Sequence, residues 1–198
     1  MKSRICLLGI IAILAIIGLG FIACKDDDGG CNEECLAIGA AGEGGGIIFY
    51  HAHAGFNVVG LGTCHYLEAA PVNQEESSWS STNKNVTGAT GTAIGTGKAN
   101  TAAIIAAHPG DTTIFNAAKT VAAYKGGGKT DWFLPSQKEL NEMYKKKSHL
   151  GISAGWFLSS SQLEADYNNY VWVKEFFEGE EQGWQKDYVG RVRAVRAF

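Results

Sequence analysis

The stretch GTAIGTGKANTAA, from Gly91 to Ala103, places glycines and a lysine where a phosphate could be held. A phosphate-binding P-loop requires G-x-x-x-x-G-K-S/T: the glycines expose backbone N–H groups, the lysine reaches the β- and γ-phosphates and the hydroxyl holds Mg²⁺. The pattern fails twice. Thr92 stands at the first glycine position, and Ala99 replaces the hydroxyl. The preceding WSSTNKNVTGAT is polar, where a P-loop needs a buried strand to deliver it. A Gly/Thr loop feeding a helix over AAIIAA is expected instead, with Asn100 or Thr101 as its N-cap and no nucleotide bound.

Other reactive residues are sparse. Of the five cysteines, Cys6 and Cys24 fall in or at the end of an N-terminal export segment, which leaves Cys31, Cys35 and Cys64. An odd number cannot all pair, and both a Cys31–Cys35 loop and a Cys35–Cys64 staple remain open. CNEEC lacks a second Cys/His pair to complete a zinc site. His51 and His53 share one face if FYHAHA is a strand, but no third ligand stands near them in sequence, so a polar strand face is expected. Cys64, His65 and Glu68 could form a Cys/His pair with an acid, although an exported cysteine more often serves in a disulfide. No G-x-S-x-G or H-E-x-x-H signature occurs, so a non-catalytic chain is expected.

The elements that position these residues begin after the leader. MKSRICLLGIIAILAIIGLGFIAC has a basic start (Lys2, Arg4), an apolar run and small residues before Cys24, the pattern of an export signal over residues 1–23. The run from Ile5 to Ala23 is also long enough to span a bilayer, so an uncleaved anchor competes with it. Phe21-Ile22-Ala23-Cys24 resembles a bacterial lipobox, with Phe21 departing from the usual Leu. That resemblance implies lipidation at Cys24 and anchoring to an outer membrane or cell surface. KDDDGG then opens a solvated tether over 24–41, ahead of a domain over 42–198. The mature chain would have 175 residues, 198 less 23, enough for one core. Loss of Lys2 and Arg4 takes its formal charge from −3 to −5, a poor balance for nucleic acid. The one basic cluster, Lys145-Lys146-Lys147, reads as a solvated last helical turn, with a patch for anionic glycans as the secondary reading.

Hydrophobic patterning predicts strands at IIFYHA and CHYLEAAP, the first preceded by GAAGEGGG as a flexible lead-in. Helices are expected at TAAIIAAH and TTIFNAAKTVAAYK, the second stopped by Gly126-Gly127-Gly128 in a left-handed conformation. DWFLP reads as a short strand, and PSQKELNEMY as a helix with the capping box Ser136/Glu139. The tail segments GWFLSSSQ, NYVWVKEF, GWQKDY and RVRAVRAF read as short strands. Helices in the middle and antiparallel strands toward the C-terminus make an α+β plan.

This order of segments resembles the DUF1566 family, also called the Lcl C-terminal domain. Its W-x-L-P-S/T-x-x-E-L motif is matched by Trp132, Leu134, Pro135, Ser136, Glu139 and Leu140. Its aromatic-serine motif is matched by Trp156 with Ser159 to Ser161, here separated by FL, and its closing V-R-x-V-R by Val192, Arg193, Val195 and Arg196. GGGIIFY, CHYLEAAP and GTAIGTGKANTAAII also look like segments of lipoproteins with this domain, so the likeness covers roughly residues 42 to 198. It implies a C-type-lectin-like superfold, which also carries formylglycine-generating enzymes. Those enzymes need a late pair of reactive cysteines, and this chain has none after Cys64. In such a fold Trp132, Leu134 and Trp156 are expected in the core. Arg193 and Arg196, three apart on one strand, would point to opposite faces, one into a buried ion pair at most and the other to water.

What the likeness implies about function is a surface-anchored, adhesin-like binding module for a glycan or for a matrix or envelope protein; a structural envelope lipoprotein is the alternative, and an enzyme the more distant one. Lectin calcium triplets EPN and WND are absent, although Asp166, Asn168, Asn169, Glu178, Glu180 and Glu181 could supply calcium oxygens. The expected ligand site is Tyr167, Asn168, Asn169, Tyr170, Glu178 and Trp184, read as loops between the last strands, where aromatic faces beside amides suit sugars or peptides. Replacing Cys24 with Ser removes the thiol that a lipid would modify, so the variant is expected to leave the membrane fraction. Its retention in the lipid phase on detergent partitioning would favour the uncleaved anchor.

Overall fold

IIFYHAHAGFNV, rich in β-branched and aromatic residues, forms the first strand, β1 (Ile47–Val58). It turns tightly, with Leu61 N donating to Val58 O, into the antiparallel β2 (Gly62–Ala69). The computed structural model describes residues 35–112, 115–164, 167 and 169–198. The export segment, Cys24, Cys31, Asp166 and Asn168 lie outside the described residues. Leu36 to Phe198 form one compact unit, which takes in the end of the stretch expected as a tether. Gly39 N donates to Ile48 O, and Ile48 N donates to Ala40 O.

The remaining strands are β3 (Gln74–Ser78), β4 (Trp156–Gln162), β5 (Tyr170–Glu175), β6 (Glu181–Gln185), β7 (Val189–Val192) and β8 (Val195–Ala197). One sheet has the order β1-β2-β8, so the last strand pairs with the first hairpin; the other has the order β3-β7-β4-β5-β6. Within the larger sheet only β4 and β7 run parallel. The helices α1 (Gly97–Ala107), α2 (Ala117–Ala123) and α3 (Gln137–Lys145) lie between β3 and β4 in sequence. The architecture is α+β, as the segment order predicts.

Two apolar clusters share the chain by strand alternation. Trp79, Ile104, Val121, Trp132, Leu158, Val171 and Val173 pack in one, and Phe49, Leu67, Phe133, Met143, Phe157 and Phe176 in the other. Neighbours such as Trp132 and Phe133, or Phe157 and Leu158, enter different clusters because side chains alternate across an extended chain. Trp132 and Leu134 are core as expected, whereas Trp156 is half-buried and packs against Trp184 with ring centroids 5.3 Å apart and the planes tilted by 35°.

Several local expectations are corrected. The helix expected at TAAIIAAH begins at Gly97, with Thr96 at its N-cap, because Asn100 and Thr101 are committed elsewhere. Asn100 Nδ2 donates to Gly91 O at 2.6 Å, and Thr101 Oγ1 to Gly97 O at 2.8 Å. The next helix ends at Ala123 on an extended Tyr124, and Gly126–Gly128 form a separate 3-10 turn. There Gly127 (φ +60) lies so close to Gly44 O that a Cβ would collide with it. GAAGEGGG is a hydrogen-bonded turn, with Gly42 N donating to Gly46 O and Gly45 N to Gly42 O. DWFLP contributes only an isolated bridge between Phe133 and Val195. QEESS, for which no element was expected, forms β3, and Trp79, read as the start of a polar run, is fully buried.

The closing motif breaks between β7 and β8, so strand alternation does not run through it and Arg193 does not face water. It is buried against Asn73 Oδ1 (2.8 Å), Pro71 O (2.9 Å) and Leu150 O (3.2 Å). Burial pulls its guanidinium down to about 10. Arg196 does enter a buried ion pair, with Glu68 at 3.0 Å, and a partly exposed one with Asp131 at 2.8 Å. Trp79→Ala is expected to cost about 3–5 kcal/mol, whereas Phe177→Ala, at a side chain 68% exposed, stays within about 0.5 kcal/mol. Denaturant unfolding of both variants measures the difference.

Candidate functional site

The glycine-lysine stretch does present backbone N–H groups to an anion, and the anion is internal. Glu139 on α3 is fully buried, and its Oε1 accepts from Gly95 N at 2.7 Å. Its Oε2 accepts from Ser136 N at 2.7 Å, completing the predicted capping box with Ser136. A Cβ on Gly97 would collide with the same carboxylate, which is why glycine stands at the start of α1. The donors that would hold a phosphate are occupied. Lys138 N to Thr92 O (3.0 Å) and Ser136 Oγ to Ala93 O (2.9 Å) bind the loop to the start of α3 as well.

The other glycine run does the same for Glu68 on β2. Gly44 N and Gly46 N each donate to its carboxylate at 2.8 Å, and Arg196 supplies the countercharge. Glu68 is thereby removed from any Cys64/His65 chemistry. Burial also pushes the Cys64 thiol up, away from the thiolate that a nucleophile needs. Cys35 and Cys64 are buried free thiols, so a Cys35–Cys64 bridge is not formed. His51 stacks on Tyr66, and His53 lies 6.5 Å from His51 by ring centroids.

A cleft of about 320 Å³ opens beside the clamped loop, lined by Thr90, Thr92, Gln137, Gln162, Glu164 and Trp172. Trp172 is half-buried on β5 and pairs with Gly183 of β6, where Leu163 and Tyr170 take up the space a side chain would fill. Gln137 is held at its backbone by Ser161 Oγ (2.9 Å) and at its amide by Glu181 (2.6 Å). Ser161 in turn donates to Gly91 O at 2.7 Å. The serines that follow Trp156 are thus buried hydrogen-bonding posts that fix the cleft walls. Below them Gln162 Oε1 accepts from Val86 N (2.8 Å) and from Lys186 Nζ, which sits over the Trp79 ring at 4.6 Å. Burial pulls the Lys186 ammonium down to about 8.

The expected site residues are only partly gathered. Tyr170 opens β5 on the same face as Trp172, and the exposed Tyr167 meets it edge-on at 6.2 Å. Asn169 precedes the strand, its carbonyl accepting from Lys186 N at 3.2 Å. Trp184 is not in a loop. It pairs with Val171 in β6, on the opposite face from Trp172, and packs half-buried on Trp156. Glu178 lies at the other end of the β5–β6 hairpin, roughly 17 Å along at ~3.4 Å per residue. Among the described residues no group of three or more His, Cys, Asp or Glu is gathered to hold a metal.

Trp172, Gln137 and the two threonines were not anticipated; the alternation of YVWVKE, with Trp172 two residues from Tyr170, is the signal that could have found the first. The lysine run is largely committed: Lys145 pairs with Glu142 at 2.6 Å, and Lys147 Nζ donates to Phe176 O at 2.6 Å. Among the described residues no helix is long and apolar enough to cross a membrane. No protein-family model matches the chain, and no curated protein matches it.

Burial pushes the Glu139 carboxyl up to about 7, against the pull of the Ser136, Gly95 and Gly97 N–H groups. An unfolded glutamate releases its proton near 4.5, so the folded state holds the proton more tightly. Stability from this group is complete below about 4.5 and is lost as pH rises to about 7. Relative to Glu139→Gln, the wild type is expected to lose on the order of 3 kcal/mol across that window, read from urea unfolding at stepped pH. Parallel pH profiles for the two proteins would exclude the shift.

Proposed function

We propose that this chain is a surface-anchored bacterial lipoprotein of the DUF1566, or Lcl C-terminal, type, whose C-type-lectin-like domain binds a glycan in the Trp172 cleft without catalysing a reaction. The anchoring rests on the lipobox-like FIAC at Cys24 and the tether after it. The fold assignment is supported by the matched W-x-L-P motif and by the α+β mix of helices and twisted antiparallel strands.

The observation that carries the binding reading is the composition of the cleft. A half-buried tryptophan stands among two threonine hydroxyls, two amides and one carboxylate. An indole face covers the C–H side of a sugar ring, and the hydroxyls and amides meet its hydroxyl groups as both donors and acceptors. Ligand sites combine an apolar surface with a few fixed polar groups in this way. Gln137 and Gln162 are held by other side chains or backbone, so little order need be gained on binding. Calcium has no part in this proposal: Glu178 stands at the far end of the hairpin, Glu181 is engaged by Gln137 and Lys174, and no group of three or more His, Cys, Asp or Glu is gathered among the described residues.

The full chain in detergent micelles, titrated against an oligosaccharide panel with and without calcium, tests the reading. Trp172→Ala is expected to weaken the best ligand by at least about tenfold, as loss of a buried aromatic contact does, with Phe177→Ala unchanged. No binding by any oligosaccharide would sink the glycan reading and favour a structural envelope lipoprotein.

A further inference from the structure

We propose that β6 is the interface for a second copy of this chain, whose own β6 pairs with it antiparallel about a twofold axis at Gly183. The two sheets have four outer strands, β1, β8, β3 and β6. Three of these edges are covered or broken. Gly39 and Ala40 hydrogen-bond to Ile48 at the start of β1, whose register against β2 then shifts twice. Phe133 exchanges two hydrogen bonds with Val195 of β8, and β3 shifts register between Gln74 and Ser77. Such covers and irregularities keep an edge from pairing with another chain. β6 has neither, since it runs against β5 without a shift and carries no proline or lysine. Its one charged side chain, Glu181, is held back by Gln137 at 2.6 Å and Lys174 at 3.9 Å.

The hydrogen bonds around β6 fix which of its backbone groups are open. Lys186 N donates to Asn169 O, and Glu180 O accepts from Glu175 N, so the even-numbered residues turn their backbone groups toward β5. Glu181, Gly183 and Gln185 turn theirs outward. Tyr188 N already donates to Gln185 O. The N–H groups of Gly183 and Gln185 and the carbonyls of Glu181 and Gly183 are left to the open edge. A second β6 in antiparallel register centred on Gly183 takes up all of them. Each Gly183 N donates to the other Gly183 O, and each Gln185 N to the other Glu181 O.

A second copy fits here because β6 is complementary to itself in this register. All five residues pair, with Glu181 opposite the partner's Gln185 and Gln182 opposite the partner's Trp184, so no like charges meet within the strands. At each end Asp187 comes opposite the partner's Gly179, between two glutamates, a repulsion that salt screens. Apolar groups flank the axis on both faces. Leu163 lies over Gly183 on the Trp172 side, and on the other side Trp184 is half-buried beside Trp156 and the exposed Tyr188. Diagonal neighbours across an antiparallel pair are ~7–8 Å apart, within reach of aromatic rings, so the two Trp184 side chains cover each other. The pairing joins two five-stranded sheets into one, with both Trp172 side chains on the same face. Three strand spacings, roughly 14 Å, separate them, which lets one extended ligand meet both clefts.

The test uses the full chain in detergent micelles and compares wild type, Gln185→Lys and Gln185→Glu by sedimentation and by residue-resolved amide exchange, in dilute solution and at about 500 µM protein. The N-terminal segment is common to all three, so association through it cancels. In the wild type a two-chain species is expected at the higher concentration, with the Gly183 and Gln185 amides exchanging about tenfold or more slowly and the β1 amides unchanged. Gln185→Lys sets a cation opposite each Glu181 and should strengthen the dimer about fivefold; Gln185→Glu sets like charges there and should weaken it about fivefold. Both variants should keep the wild-type circular dichroism spectrum. A single-chain mass up to about 1 mM, or equal association of the two variants, would overturn the proposal. So would slow exchange of the β6 amides in a chain that stays single, which would assign the edge to another segment of the same chain.

Discussion

A carboxylate taken out of water must be given hydrogen-bond donors, and in this protein much of that task falls to backbone N–H groups from glycine-rich turns. Glu68 and Glu139 are both fully buried, and each joins segments far apart in the chain. Gly44 and Gly46 bring the start of the domain onto Glu68, which Arg196 ties to the last strand. Gly95 and Gly97 bring the start of α1 onto the first turn of α3 through Glu139. Removing either carboxylate would leave buried N–H donors unmet, and removing Glu68 would also take from Arg196 its buried ion pair, leaving it the partly exposed one with Asp131.

The Glu139 clamp fixes one wall of the Trp172 cleft. The loop from Gly91 to Gly97 is bound to Ser136 and Glu139 on one side and to Ser161 on the other. Thr90 and Thr92 thus stand opposite Gln137 and Trp172 at a separation set by hydrogen bonds and not by loop flexibility. One carboxylate thus takes up N–H groups of the glycine loop and holds that loop as a wall of the Trp172 cleft.

The larger sheet extends this logic into the core. All of β4 after Trp156 is buried, yet four of its seven residues are polar. They are bonded by residues from segments distant in the chain. Trp79 Nε1 donates to Ser159 O at 3.1 Å, Asn100 reaches Ser160 at 3.3 Å, and Gln162 receives Val86 N and Lys186. A polar strand can be buried here because each partner arrives from a different part of the sequence.

The order of the chain was legible from local physics: strand-favouring composition and patterning located β1, β2, β4, β5 and part of β6, and the capping box located α3 together with its Ser136/Glu139 contact. Composition marked GAAGEGGG as a lead-in turn and Gly91–Gly97 as a loop feeding a helix, but gave neither run an anion to hold. Which anion they meet was beyond the reach of composition, because Gly95 and Glu139 are 44 residues apart. Trp79 was hidden for the same reason, buried by groups from Ser159 and Lys186 that no local window contains. Trp184 and Trp172 look alike as aromatic residues in short polar strands, and only the register of β5 against β6 put them on opposite faces. Local sequence determines element type through backbone preference and side-chain period; the site depends on long-range pairing, in which one residue of register moves a side chain to the other face.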